Sequence, residues 1–499
     1  MIEYVSTRNK DIRVRSGKAI LDGQASGGGL YVPADLEAIK ADWRGIIKLD
    51  FRGMAKAIWN IFFDDYGEEA IDRLVEASYK DKFSAQDITP LVKAGDAYVL
   101  ELWHGPTSAF KDVALSALPN LMSAARGMNG FTDDIMILTA TSGDTGSAAI
   151  QGFRDVPGTG IIVFYPHGGV SDTQRLQMVT PDSANVTACA IRGNFDDAQT
   201  GVKKLFREIP RPVEGVALSS ANSINIGRLV PQIVYYFSAY AQLVKSGAIT
   251  EGDKIDFVVP TGNFGDIMAG WYAFKMGLPV SRLVCASNKN DVLTEFLNTG
   301  HYDRKREFYK TTSPSMDILV SSNLERLLWY ICGPEHTLSY MKQLEETGEY
   351  QITDDELFEM QKVFTGVFAS DEDGAAAIKG VFESDGYLMD THTSIAWACM
   401  EKYRSGDSPE GTVSFGTDAA ATVVLSTASP YKFSAAVLEA LGEELTGSDE
   451  ENMKKVRGIT GAEVPSGLAG IFAKPVIHKD VIDISAMKSY VIEKCTKQG

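Results

Sequence analysis

The stretch 134-DIMILTATSGDTGSAAIQGF-153 decides the fold class. Its first half, Ile135 to Ala140, is apolar and rich in residues that suit a buried strand. Thr141-Ser142-Gly143-Asp144-Thr145-Gly146 then turns, and small residues continue as a helix. The same alternation recurs around DAYVLEL (96–102), GIIVFYP (160–166), NVTACAI (185–191), KIDFVVP (254–260) and SRLVCAS (281–287). Strands separated by helical stretches are the mark of an α/β protein, with parallel-rich sheets covered by helices on both faces. In such sheets ligands gather beyond the carboxyl ends of the strands.

Two of these strand-to-helix turns suit an anion. A helix start offers unpaired N–H groups and a favourable dipole. At 141–146, the hydroxyls of Thr141, Ser142 and Thr145 add donors; a well-capped helix would show the same pattern. The second turn, Thr261-Gly262-Asn263-Phe264-Gly265-Asp266, lets backbone approach an oxyanion closely at its glycines. Neither turn is GxGxxG or GxxxxGKS, so neither favours a dinucleotide or a nucleoside triphosphate. ANSINIGRLVPQ (221–232) supplies Asn222, Ser223, Asn225 and Arg228 before an apolar helix; Arg suits bidentate phosphate binding, while an exposed helical Arg is the commoner reading of a lone residue.

HGPTSAFKD (104–112) leaves two readings open for Lys111. It is a surface cation whose stem lies on apolar neighbours, or a buried amine of lowered proton affinity, ready for carbonyl chemistry. GTVSFGTDAAATVVLSTASPYKF (411–433) has buried-strand character and ends in the hydroxyls Ser426 and Thr427, which need partners in so apolar a setting.

Composition narrows the function classes. A chain of 499 residues exceeds a single core and implies two or three domains. A net charge of −18 argues against a nucleic-acid or anionic-membrane surface, yet leaves room for a small anionic substrate held by a local Arg or Lys. Cys189, Cys285, Cys332, Cys399 and Cys495 are scattered, which indicates reduced thiols and a cytoplasmic location. No apolar run approaches membrane-span length, and the first twenty residues lack a signal-peptide core. His104, His167, His301, His336, His392 and His478 show no metal-ligand spacing, so no metal is expected; His392 in MDTHTSIAW reads as a capping or structural residue. No GxSxG elbow starts a hydrolase triad.

Three domains are expected: 1–95; a smaller α/β unit over 96–225; and a larger one over 226–499, interrupted near 290–350 by an insertion or lid where the strand–helix rhythm stops. The spacing of Leu357, Met360, Val363, Phe364 and Val367 predicts one helix over 353–370, opened by a Thr353/Glu356 capping box.

HGPTSAFKD, SGDTG, NSINIGR, PTGNFGD, NKNDVLTEFLNTG, SPSMDILVSSNLER and TASPYKF, with YVSTRN and GGGLYVP near the start, together resemble the threonine synthase family in its longer microbial and fungal form. The resemblance implies a tryptophan-synthase-β-like fold (fold type II) and pyridoxal 5′-phosphate, carried as a Schiff base on Lys111. It also implies that Gly262, Asn263, Phe264, Gly265 and Asp266 wrap the cofactor phosphate. Asp144 stands beside the ring hydroxyl, where relatives usually carry Asn, and Thr427 meets the pyridine nitrogen. The implied substrate is O-phospho-L-homoserine, its carboxylate on Thr141, Ser142 and Thr145 and its phosphate on Asn222, Ser223 and Arg228. Lys111 would then move the α-proton, phosphate would leave from Cγ, and water would add at Cβ to give L-threonine. A monomer is expected. Ser429 stands where the family commonly has His in TAHP, which puts any role of that His in doubt here. The same first half-reaction also serves a phospho-lyase giving 2-oxobutyrate, ammonia and phosphate, and a non-catalytic anion-binding scaffold is the reading from another class.

Overall fold

A computed structural model describes residues 1–141, 143–406 and 418–498. Near the N-terminus, β1 (Tyr4–Ser6), β2 (Asn9–Val14) and β3 (Tyr31–Pro33) form an antiparallel sheet in the order β2-β1-β3. Next come β4 (Leu91–Ala94), β5 (Ala97–Glu101), β6 (Asp134–Ala140), β7 (Thr159–Pro166), β8 (Val186–Arg192) and β9 (Val216–Ser219). The later strands are β10 (Ile255–Pro260), β11 (Val280–Ser287), β12 (His301–Asp303), β13 (Glu349–Gln351), β14 (Phe364–Phe368), β15 (Ala421–Ser426) and β16 (Val481–Asp483).

Two sheets carry the architecture. One has the order β14-β11-β10-β15-β5-β4 and is parallel except for the β4–β5 hairpin. The other, β16-β8-β7-β6-β9, is parallel throughout. The apolar runs singled out in the sequence all form strands here, and β7 and β10 are buried along their whole length. Such strands need cover on both faces, and helices provide it.

Strand pairing does not follow the expected boundaries at residues 95 and 225. β5 pairs with β15 in the six-stranded sheet, and the late strand β16 closes one edge of the five-stranded sheet beside β8. The physical reason for the first is that β5 is almost wholly buried and needs a neighbour on either side. The helix expected over 353–370 also ends early. Its capping box is present, and the helix runs Asp354–Gln361, but Phe364–Phe368 forms the edge strand β14. Gly366 of that strand lies against the backbone of Thr294, where a Cβ would meet Thr294 Cα at 2.8 Å. This close helix–strand packing, together with β-branched and aromatic neighbours, overrides the helical spacing. The segment near 290–350 connects β11 to its parallel neighbour β14. It contains the β12–β13 ladder, a short turn of 3-10 helix at Pro314–Met316 and the helical stretch Leu324–Glu346.

The core centres on the helix Ile226–Lys245, buried nearly all round, including Tyr235, Tyr236 and Tyr240. A helix apolar on every side belongs in the interior of a large protein. It packs between the N-terminal helix Phe51–Phe62 and the helix Gly265–Lys275. The N-terminal region is fastened to the segment after β12 by charge. Arg8 donates two hydrogen bonds to Glu325, at 3.0 and 2.9 Å, and Thr7 donates a third to the same carboxylate. Among the described residues no helix is long and apolar enough to cross a membrane.

Candidate active site

The chemistry-bearing turns converge because each follows the carboxyl end of a parallel strand. The helix Lys111–Leu115 comes after β5, Asp144–Phe153 after β6, Ile226–Lys245 after β9 and Gly265–Lys275 after β10, while Thr427 follows β15 directly. Lys111, Asp144 and Thr427 line one narrow cavity with Phe110, Ser315, His392 and Ala428.

Lys111 is nearly buried, with 12% of its side chain exposed. Its Nζ lies 3.5 Å from Ser315 Oγ and 4.0 Å from Asp144 Oδ2, with the Phe110 ring at 5.0 Å. Burial pulls its pKa down to about 8; Asp144 opposes that, while Lys432 and Arg228 reinforce it. The open choice for Lys111 therefore falls on the buried amine.

Asp144 opens its helix at the bottom of the cavity. Its Oδ1 accepts from Gln174 Nε2 at 2.9 Å and pairs with Lys432 Nζ at 2.9 Å; its Oδ2 accepts from Ser315 Oγ at 3.1 Å. Burial pushes this carboxyl upward, but Lys432, Lys111 and His392 outweigh burial and hold it well below the usual carboxylate range. The preceding Gly143 has φ +139, and a side chain there would run into Gln174. Glycine is therefore what allows Gln174 to reach the carboxylate.

The hydroxyl of Thr141 is spent within the turn. Its Oγ1 accepts from the amides of Gly143 and Gly146, both at 2.9 Å. Two of the N–H groups expected to face an anion are thus already satisfied. Thr145 is half-buried, and Ser142 lies outside the described residues.

The second glycine turn is more open. Phe264 adopts φ 60 and packs inward, so the chain reverses sharply before Gly265 begins the helix. A Cβ at Gly262 would meet Ser315 O at 2.8 Å, and one at Gly265 would lie 3.6 Å from Ser223 Cβ. These approaches bring the turn against both the Ser315 segment and the 222–228 loop. Asn263 is exposed, and its carbonyl accepts from Asn323 N at 3.1 Å and Nδ2 at 2.9 Å. Asp266 points inward, accepting from Tyr235 OH at 2.5 Å and Tyr236 OH at 2.9 Å. Burial raises its pKa to about 6, against the lowering effect of the two tyrosine hydrogen bonds.

In the 222–228 loop, Asn222 is exposed and Ser223 half-buried, with Ser223 Oγ accepting from Asn323 Nδ2 at 3.2 Å. Arg228 is 3% exposed; Nη1 donates to Ala221 O at 2.5 Å, and Nε has no partner. Burial lowers its pKa to about 10, and no carboxylate pairs with it among the described residues. A desolvated guanidinium without a counter-ion is a ready anion site. Asn225 ties the loop to the N-terminal region through Ile20 O at 2.9 Å.

Two residues of the cavity wall, His392 and Ser315, and one behind it, Lys432, received no such role from the sequence. His392 is not merely a helix-end residue: its Nδ1 meets Asp390 Oδ2 at 2.7 Å, and Nε2 accepts from Ser315 N at 3.2 Å. The signal was Asp390 two residues earlier. Ser315 arrives from the Pro314–Met316 turn. Lys432 is fully buried and also donates to Thr107 O at 3.1 Å. Its signal was a lysine amid apolar residues in PYKF. Ser429, also buried, accepts from Tyr431 N, and its own amide donates to Ser108 O at 3.1 Å, so it fastens the Lys111 loop.

These groups fit a pyridine aldehyde bearing a phosphate. They offer a buried amine of lowered proton affinity, a hydroxyl at Thr427 and a glycine turn at a helix start. Among the described residues no cluster of metal-ligating side chains is present.

Comparison with known proteins agrees. Residues 83–417 match the family model for a pyridoxal-phosphate dependent enzyme, residues 3–79 that for the threonine synthase N terminus, and 393–491 that for the threonine synthase C-terminal region. The threonine synthase of Pseudomonas aeruginosa is 39% identical over 449 residues, covering 88% of this chain and 90% of that protein. Against threonine synthase-like 1 of Homo sapiens the identity is 36% over 442 residues, 85% of this chain, and the match spans 58% of that longer protein. Among solved structures, PLP-bound threonine synthase from Brucella melitensis superposes with a TM-score of 0.85 at 34% identity, covering 99% of each chain. Yeast threonine synthase gives 0.86 at 33% identity, again covering 99% of each. With fold type II architecture and pyridoxal phosphate as the family's cofactor, the chain belongs to the threonine synthase family of pyridoxal-phosphate-dependent enzymes.

Proposed function

We propose that this protein converts O-phospho-L-homoserine and water to L-threonine and phosphate. The observation that carries the reading is the pairing, across one site, of a buried amine at about pKa 8 with a buried guanidinium that lacks a counter-ion. The first is suited to carbonyl capture and proton transfer, the second to a phosphorylated substrate.

Pyridoxal phosphate, when bound, supplies an electron sink for the carbanions that this reaction needs. Lys111 would hold the cofactor and would serve as the base at the substrate α-carbon. Its lowered pKa keeps a useful fraction unprotonated near neutrality. Gly262, Asn263, Phe264, Gly265 and Asp266 receive the cofactor phosphate. Support comes from the helix start and from the closeness that Gly262 and Gly265 permit. The raised pKa of Asp266 keeps a carboxyl at that helix start from carrying a full charge below about pH 6, which limits repulsion of a phosphate. Asp144 stays ionised beside Lys111 and anchors the polar end of the cavity, and Thr427 offers a neutral hydroxyl to the pyridine nitrogen. Arg228, with Asn222 and Ser223, receives the substrate phosphate. Thr141, Ser142 and Thr145 take the substrate carboxylate, Thr141 mainly by shaping the turn.

Product analysis tests this reading. With O-phospho-L-homoserine and added pyridoxal phosphate, threonine should form in a one-to-one ratio with phosphate. Phosphate accompanied by 2-oxobutyrate would overturn it in favour of a lyase with the same cofactor site.

A further inference from the structure

Lys432 lies behind the cavity wall. It is fully buried, its ammonium sealed between Asp144 Oδ1 at 2.9 Å and the Thr107 carbonyl at 3.1 Å. The other oxygen of the same carboxylate faces Lys111 at 4.0 Å. One carboxylate therefore stands between two lysines, one reaching the cavity and one not. A buried charge of this kind is costly unless it is compensated. The Thr107 carbonyl and Asp144 satisfy Lys432 from two sides, and Gln174 completes the shell around Asp144 Oδ1.

We propose that Lys432 is a positioning residue for the reaction: by holding Asp144 from behind, it keeps the carboxylate from pairing fully with Lys111 and so leaves the Lys111 amine free to react. The inference rests on the reading of Lys111 as the lysine that captures the cofactor. Other charged groups face Lys111 from each packed element: Asp112 on its own helix, Arg228 on Ile226–Lys245, and Asp266 at the start of Gly265–Lys275. His392, on Thr391–Ser405, lines the same cavity. None of these touches Asp144 Oδ1, so the division of the Asp144 charge depends on Lys432. The sign follows from electrostatics. Removing the rear cation commits the Asp144 charge to Lys111, raises the proton affinity of that amine and slows its attack on an aldehyde at neutral pH.

The test uses full-length apoprotein mixed with pyridoxal phosphate. The initial rate at which the visible absorbance of the captured aldehyde appears is followed against pH. Only the unprotonated amine attacks, so the midpoint of this profile reports Lys111. Lys432→Gln keeps donors for Asp144 and Thr107 but removes the charge; its midpoint should rise by about one pH unit, slowing capture about tenfold at pH 7. Lys432→Arg should restore the native midpoint. An unchanged midpoint in Lys432→Gln, whatever its melting temperature, would overturn the inference and leave Lys432 a structural residue. Should Lys432→Gln fail to fold, Asp144→Asn is compared with Asp144→Asn/Lys432→Met, which buries no unpaired carboxylate. Equal midpoints support action through Asp144, and a midpoint that still moves overturns it. Lys111→Ala separates the two failures: native-rate capture without Lys111 would sink the cofactor assignment itself, whatever Lys432 does.

Discussion

Asp144 and Asp266 both sit in the first turn of a helix that follows a parallel strand, and both are almost fully buried. Their proton affinities diverge. Asp144 is held far below the usual range because Lys432 and Lys111 flank it; Asp266 is pushed up to about 6 because its close partners are two neutral tyrosine hydroxyls. The helix dipole favours the anion in both cases and cannot account for the difference. Neighbouring charge outweighs burial at one site, and burial outweighs neutral hydrogen bonds at the other. One fold thus sets a permanent anion beside the buried amine of Lys111 and, where a phosphate is proposed to bind, a carboxyl that reaches half-charge only at about pH 6.

Four substitutions break or sharpen this contrast. Lys111→Ala removes the cation at the cavity end of Asp144; turnover should fall by at least about a thousandfold while circular dichroism stays native. Near-normal activity would refute the role of Lys111. Arg228→Ala leaves Asp144 and Asp266 untouched but deletes the unpaired guanidinium. The substrate dissociation constant should rise about a hundredfold, as expected for a charge-assisted phosphate contact, and unchanged affinity would rule that contact out. Asp144→Asn removes the permanent anion. With its counter-charge gone, Lys111 should become easier to deprotonate, so the midpoint of cofactor capture should move from about 8 to lower pH. Asp266→Asn should have the smallest effect. In the native protein cofactor affinity should weaken a few-fold as pH rises through about 6, since Asp266 then gains charge near the phosphate; the Asn variant should lose that step in a binding titration.

The strands were legible in the sequence because each is a short, β-branched, apolar run bounded by turn residues. Lys111, Asp144 and the two glycine turns stand out as candidates because each comes after such a strand in the chain. Phe364–Phe368 was misread as helix because Leu357, Met360, Val363, Phe364 and Val367 satisfy a helical period, and only packing against Thr294 distinguishes it. His392, Ser315 and Lys432 could not be assembled from spacing. They approach Lys111 and Asp144 from three distant segments, and nothing local to HTSIAW, SPSM or PYKF says that they meet. Strand pairing across residues 95 and 225 is illegible for a related reason: sheet membership is a property of pairing partners, and β5 and β16 find theirs far along the chain.

That long-range pairing has a consequence for how the molecule comes into being. The contact between Lys432 and Thr107 joins residues 325 positions apart, and β16 enters its sheet about 290 residues after its partner β8 has been made. A nascent chain leaving the ribosome therefore carries β8 and β10, both apolar and buried in the finished fold, before their neighbours β16 and β15 exist. Strands exposed in this way are prone to associate with other chains. Production of the protein should accordingly depend on chaperone supply and translation speed more than the stability of the finished fold would suggest.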